Sequence, residues 1–273
     1  MKKAKTLIAI PVFNGAIGII SSLQSCLSQS VDVHILIIDN CSTDGTVRII
    51  KDKFSNERNI TLIQNKENVG RVGNWNLCLD FFHSSNFIYF KFLFPGDKLP
   101  KDSVSISESI FNCHDVAVVC GLYQHVLKDG ISFQDKNNFK SGFYQFSELL
   151  NSGFYPSKIT GCFNKWSFSK SFLKDYRFDT KFLGGHTFSN QLIYQNNVFF
   201  IDEVLGIFVQ DFHHSFSKQA SLLYNIEYLY TYHVGLELTK SCMSSFKYLK
   251  MSFAELFSFV VKYFKYLYNF RNG

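Results

Sequence analysis

The stretch FIYFKFLFPGDKL, Phe87–Leu99, decides how the chain is read. Its apolar half predicts a strand over Phe87–Phe94, and Pro95-Gly96 predicts a turn that delivers one carboxylate, Asp97, at the strand's end. Two earlier segments end in the same manner. Leu7–Phe13 is an apolar run that carries Pro11 and is closed by Asn14 and Gly15, and Val33–Ile38 is closed by Asp39, Asn40 and the turn Cys-Ser-Thr-Asp-Gly. Three strands ending in Asn, Asp and Asp predict a polar site along the carboxyl edge of an α/β sheet, the edge where ligands bind in open sheets of this kind.

Helical spacing separates these strands. Ile17, Ile20, Leu23 and Leu27 mark a first helix, and Asp44 heads a second through Val47, Ile49 and Ile50. Ile60–Gln64 reads as a short strand and Trp75–Phe82 as a third helix. This βαβαβαβ order predicts a parallel sheet with right-handed crossovers over residues 1–100, within a mostly parallel open sheet flanked by helices. Beyond it, helices are expected at Ser105–Phe111, Tyr144–Leu150 and Ser169–Lys174, and strands at Val116–Leu122, Gly161–Trp166 and Phe199–Phe208. Residues 128–142 read as a loop, and the pattern is helical from Ser217 to the end.

The 273 residues are 46% hydrophobic and 17% aromatic, which excludes a disordered chain. The net charge is +6, and the segment from Lys240 onward supplies five of those charges, with six basic residues against Glu255. The near-neutral body argues against a nucleic-acid partner. The seven cysteines contain no CxxC pair and read as reduced core residues of a cytoplasmic protein. The opening MKKAKTLIAIPVF has too short an apolar run for a signal peptide and reads as a buried first strand, and no run reaches the ~18 apolar residues of a membrane span. Neither GxGxxG nor GxxxxGK[ST] follows a strand, so the usual loops for NAD and ATP are absent.

What stands at the strand ends is PVFNG (11–15), IIDNCSTDGT (37–46), NKENVGRVGNWNLCL (65–79) and KFLFPGDKL (91–99). In order and spacing these resemble an inverting family 2 glycosyltransferase of GT-A fold, over the chain from its start to roughly Ser217. The resemblance implies a nucleotide-sugar donor, a divalent cation (Mn²⁺ or Mg²⁺) and an acceptor hydroxyl. It implies a nucleotide-sugar half over residues 1–100, an acceptor half of the same domain over 101–216 and a helical extension over 217–273. Pro11 and Asn14 match the loop against the nucleoside, Asp39 the acid that accepts from uracil N3–H, and Asp44 the end of the D-x-S-x-D turn. Asn68, Gly70 and Asn76 match the segment that closes over the nucleotide, and Asp97 the last acid of the metal-binding D-x-D, preceded by Gly96. Read without the resemblance, Asp39 and Asp44 are also good turn and cap residues, and Asn68 and Asn76 good helix-start residues.

Two positions depart from the family. The D-x-D is reduced to Pro95-Gly96-Asp97, so a metal would lean on one acid and be weakly bound. Phe178-Asp179 matches the segment before the family's catalytic base, but Gly184, Gly185, His186 and Thr187 stand where its acids are expected. His186 and Asp179 are the base candidates, because a neutral imidazole or a carboxylate can take a hydroxyl proton. His213 and His214 match the region of a family histidine near the diphosphate or metal. The missing acids leave a second reading open: a degenerate GT-A protein that binds nucleotide sugar or partner enzymes. The tail FKYLKMSFAELFSFVVKYFKYLYNF, Phe246–Phe270, has one apolar face edged by Lys247, Lys250, Lys262 and Lys265. Such a helix fits the inner face of an anionic membrane, where a lipid-linked or other cell-surface glycan acceptor would be met; packing on the body or on a second subunit is the alternative.

Overall fold

In a computed structural model, residues 4–127, 129–134, 140–145, 166–173, 176–178, 192 and 196–209 are described. The amino-terminal half alternates as expected: β1 (Thr6–Val12), α1 (Ile19–Leu27), β2 (Val33–Asp39), α2 (Thr46–Phe54), β3 (Ile60–Gln64), α3 (Gly70–Ser84) and β4 (Tyr89–Phe92). These four strands lie in the order β3-β2-β1-β4 and every pairing among them is parallel.

β1 and β2 are almost wholly apolar, and β4 is apolar but for Lys91, because both faces are covered. Leu7, Ala9, Leu36, Ile38, Phe90 and Phe92 face α3, which brings Trp75, Cys78, Leu79 and Phe82. Ile8, Ile10, Val12, Ile35 and Ile37 face the side of α1 and α2, which bring Ile19, Leu23 and Ile50. Full burial of one such aliphatic or aromatic side chain contributes roughly 1.5–3 kcal/mol.

The carboxyl-terminal half corrects the expected arrangement. After α4 (Ser103–Cys113) come β5 (Val118–Val126), β6 (Ser132–Gln134), β7 (Gly142–Tyr144), β8 (Trp166–Ser169), the short α5 (Lys170–Leu173) and β9 (Val198–Val209). Among the described residues the sheet has nine strands in the order β3-β2-β1-β4-β8-β5-β9-β7, with β6 on β5. It is mixed beyond β4: β8 is antiparallel to both β4 and β5, β6 and β7 are antiparallel to their partners, and β9 is parallel to β5. Residues 128–142 are therefore not all loop, since Ser132–Gln134 is a strand, and Tyr144 ends a strand where a helix start was expected. Alternation over three residues is too short to register as a strand signal; pairing with β5 and β9 decides these two. Of the strand expected over Gly161–Trp166, residues 161–165 lie outside the described residues, and Trp166 opens β8, which runs to Ser169. A single sheet spans both halves, so β1, β2, β4 and β9 all deliver their carboxyl ends to one edge.

Candidate active site

The edge is built by four loops tied to one another through hydrogen bonds. Asn14, at φ 53°, takes the left-handed conformation that Asn tolerates. Its N–H donates to Ser42 Oγ (2.8 Å) and its Oδ1 accepts from Thr43 N–H (2.9 Å). Gly15 N–H donates to Thr46 Oγ1 (2.9 Å) and Ala16 N–H to Asp44 Oδ2 (3.0 Å). Asp44 Oδ1 also accepts from the Thr46 N–H and hydroxyl. The loop after β1 is thus latched to the loop after β2. Desolvation pushes the Asp44 carboxyl up, but the bond from Thr46 Oγ1 and those from the backbone hold it below the usual aspartate value. Asp44 acts here as a loop latch.

Asp39, the last residue of β2, is 1% exposed. Its Oδ2 accepts from Ser42 N–H (3.1 Å), while its buried Oδ1 finds no donor. A buried carboxylate oxygen without a donor is costly, so a ligand N–H would be welcome there.

The next residue was not anticipated as a site element. Asn40 Oδ1 accepts from Asn65 Nδ2 (3.1 Å) and Val69 N–H (3.0 Å), and its Nδ2 donates to Asn68 Oδ1 (2.7 Å) and Gly70 O (3.2 Å). Asn74 Nδ2 donates to Ile38 O (2.9 Å), and Asn65 Nδ2 reaches Asn74 Oδ1 (3.1 Å). This amide network docks residues 65–70 onto the end of β2. Asn68 and Gly70 belong to it, with Gly70 at φ 77° and exposed. The density of Asn in NKENVGRVGNWN was the available signal, together with Asn40 beside Asp39.

Asn76 is placed elsewhere. Its Nδ2 donates to Phe178 O (2.9 Å) and its Oδ1 accepts from Phe178 N–H (2.8 Å), so the amide clamps backbone instead of facing the loops. The Phe178 ring packs on Trp75 (5.1 Å between centroids) and Phe92 (5.8 Å), and Arg177 pairs with Asp80 (2.6 Å). Helix α3 thereby fixes the segment leading to Asp179. Asp179, His186, His213, His214 and the tail from Ser217 lie outside the described residues.

Gly96 and Asp97 are buried on the turn after β4. Gly96 has φ 97° and donates its N–H to Ser22 Oγ (2.9 Å). The start of α1 presses against it: a Cβ on Gly18 would lie 2.5 Å from Gly96 N. Ser22 Oγ also donates to Asp97 O (2.7 Å). The Asp97 carboxylate is 0% exposed, and its Oδ1 accepts from Val209 N–H (3.2 Å) at the end of β9. Pro11 sits in β1 opposite Ile38, two residues past the last pair with β4. Among the described residues no three His, Cys, Asp or Glu side chains gather as a metal-ligand set. A divalent cation at this edge would meet Asp97 as its ligand on the turn, with one oxygen already hydrogen-bonded. The polar cleft lined by Tyr89, Asn112, His114 and Ser169 opens at the opposite end of β4 and β5 and is no part of this site.

Comparison with known proteins places this geometry. Residues 7–90 match the model of Glycosyl transferase family 2. No curated protein matches the chain significantly. Among solved structures, S. aureus TarS 1-349 in complex with UDP is similar at TM-score 0.70 and 16% identity, over 92% of this chain and 70% of that one. The same protein in complex with UDP-GlcNAc matches equally well, over 92% and 71%. The mannosyltransferase PcManGT from Pyrobaculum calidifontis, in complex with GDP-Man and Mn²⁺, is similar at TM-score 0.59 and 13% identity, over 96% of this chain and 87% of that one. The structural likenesses show the fold, that of GT-A glycosyltransferases, and within it residues 7–90 resemble glycosyl transferase family 2.

Proposed function

We propose that the protein transfers a sugar, with inversion, from a UDP-sugar to a hydroxyl of a cell-surface polysaccharide, lipopolysaccharide or similar glycan. The observation that carries the donor choice is Asp39, whose Oδ1 is buried without a donor at the carboxyl end of β2. A uracil N3–H would satisfy it, and a guanine base offers a different donor pattern. The structural neighbours in complex with UDP and UDP-GlcNAc support the same choice, while the GDP-Man neighbour represents the competitor.

The roles then divide by loop. Asp39 holds the base, and the latched loops of Asn14 and Asp44 with the amide network of Asn68 and Gly70 frame the nucleotide. Gly96 and Asp97 stand at the diphosphate. Mn²⁺ or Mg²⁺ would be held by Asp97 and the donor's own phosphates, with His213 or His214 as further candidates; when bound it neutralises charge on the departing diphosphate. His186 or Asp179 takes the proton of the acceptor hydroxyl. Residues 1–100 serve the donor, 101–216 the acceptor, and 217–273 dock the enzyme on the inner face of the membrane, where a lipid-linked acceptor lies. No helix among the described residues is long and apolar enough to cross a membrane.

Calorimetric titration of UDP and GDP tests the reading. Wild-type protein is expected to bind UDP more tightly than GDP, and Asp39→Ala to lose about ten-fold in UDP affinity while GDP changes little, the loss of one hydrogen bond to a charged group. Equal binding of both nucleotides by the wild type contradicts the donor assignment. A second reading, a binding protein without turnover, is favoured by the single acid of the Pro95-Gly96-Asp97 turn and the engagement of Asp97 Oδ1 by Val209. UDP binding with no release of UDP from any UDP-sugar over hours would establish that reading instead.

A further inference from the structure

On the far side of Asp97 from the donor loops, aromatic rings stand in a row across three strands. Register pairs Phe133 of β6 with His125 of β5, and His125 with Phe208 of β9. Directly paired residues project from the same face of a sheet. The rings accordingly meet: His125 stacks on Phe133 at 4.7 Å and 8°, and lies 5.7 Å from Phe208. The row then reaches the turn carboxylate. Lys98 and Ile207 bridge antiparallel, and the N–H of Val209, next to Phe208, donates to Asp97.

The outer end of the row is open. Phe133 is 50% exposed and its neighbour Ile131 60%. Because His125 covers one face of Phe133, the solvent side of that ring is the surface on offer. We propose that this surface is an acceptor subsite that takes one sugar ring of the growing glycan, a few residues away from the reacting hydroxyl; this rests on the glycosyltransferase reading above. The C–H bonds of a pyranose face carry slight positive charge and meet the negative face of an aromatic ring. A second copy of the chain is a poorer occupant. A stable protein interface needs about 800 Å² per partner, and two partly exposed side chains, Phe133 on a three-residue strand and Ile131 just before it, offer a small part of that. Continuity with Asp97 through the paired strands gives the glycan a path that a protein partner does not need.

The test uses the full chain and an array of immobilised oligosaccharides of two to six residues. Wild-type protein is expected to bind at least one of them, with Phe133→Ala at least ten-fold weaker and Phe133→Trp, which keeps an aromatic face, within about three-fold of wild type. With the selected oligosaccharide as acceptor, Phe133→Ala raises KM at least ten-fold and moves kcat less than two-fold. Thermal melting of both variants checks the fold. No binding by the wild type, equal binding by Phe133→Ala, or equal losses in Phe133→Ala and Phe133→Trp would overturn the subsite. UDP titration of the same preparation reports on the donor-site reading alone, so failure of one is separable from failure of the other.

Discussion

Lys91 shows how far a single residue can run against its surroundings. It lies in β4, is fully buried, and among the described residues its Nζ finds Trp166 O and Ser167 Oγ, each at 3.4 Å. Burial lowers its pKa from 10.5 to about 7, with Cys120 and Cys26 pulling weakly the other way. The folded pKa is depressed below the unfolded one, so between the two the unfolded chain holds more protons. Stability therefore rises as pH climbs from about 7 toward 10.5, and the penalty is fully present below 7. Replacing Lys91 with Met, which is similar in length and apolar, is expected to stabilise the protein by roughly 1–3 kcal/mol at pH 7. Urea denaturation of both proteins at pH 7 and pH 9.5 checks this, and the gap should shrink at the higher pH. A gap that does not change with pH contradicts the charge-burial account. Asp39 and Asn76 carry a second lesson at this scale. Both read in the sequence as nucleotide contacts, yet Asn76 spends its amide on Phe178 backbone, while Asp39 keeps one oxygen without a donor. Residue type fixes what a side chain can bond; neighbours 102 positions away in sequence fix what it does bond.

Among the elements, α1 and the turn after β4 are closely coupled. Gly18 is the N-cap of α1 at φ −100°, so Ala there has no backbone strain, but at an N-cap Ala is a poorer residue than Gly. The close approach to Gly96 adds to this, because a Cβ would fall 2.5 and 2.6 Å from Gly96 backbone atoms. Gly18→Ala is expected to cost roughly 1–3 kcal/mol in chemical denaturation and to disturb the Asp97 turn. A more stable Gly18→Ala protein would show that α1 can retreat without loss. The elements also divide by legibility. The strands and helices of residues 6–92 were readable because β1 and β2 are almost wholly apolar runs and α1 and α2 carry apolar residues at helical spacing, and these two patterns do not mimic one another. Strands β6 and β7 are three residues each and exist through their partners, so nothing local announced them.

For the whole molecule, charge is the property that the fold does not balance. Five of the six net positive charges lie from Lys240 onward, which sets the tail apart from a near-neutral body. The membrane-docking proposal makes this asymmetry measurable. Full-length protein is expected to cosediment with vesicles containing anionic lipid and not with zwitterionic ones. Reversing Lys247, Lys250, Lys262 and Lys265 to Glu should weaken that binding by at least 100-fold, since each basic residue near such a surface contributes ~1 kcal/mol. Binding that ignores both lipid charge and these substitutions would assign the tail to packing on the body or on a second subunit.

What the sequence by itself determined was the parallel half, β1 to β4, and the kinds of residue at its carboxyl edge, because apolar runs and turn residues act over a few positions along the chain. Tertiary structure alone decided what the later strands do and what each polar side chain finds. Strand β8 enters antiparallel between β4 and β5, and β9 carries Val209 to Asp97. The stretch Phe87–Leu99 contains the carboxylate, but it contains neither Ser22 nor Val209, the partners that hold its turn. Pairing across more than 100 residues depends on which surfaces remain unburied once the local elements have formed, and that information is not written next to Asp97.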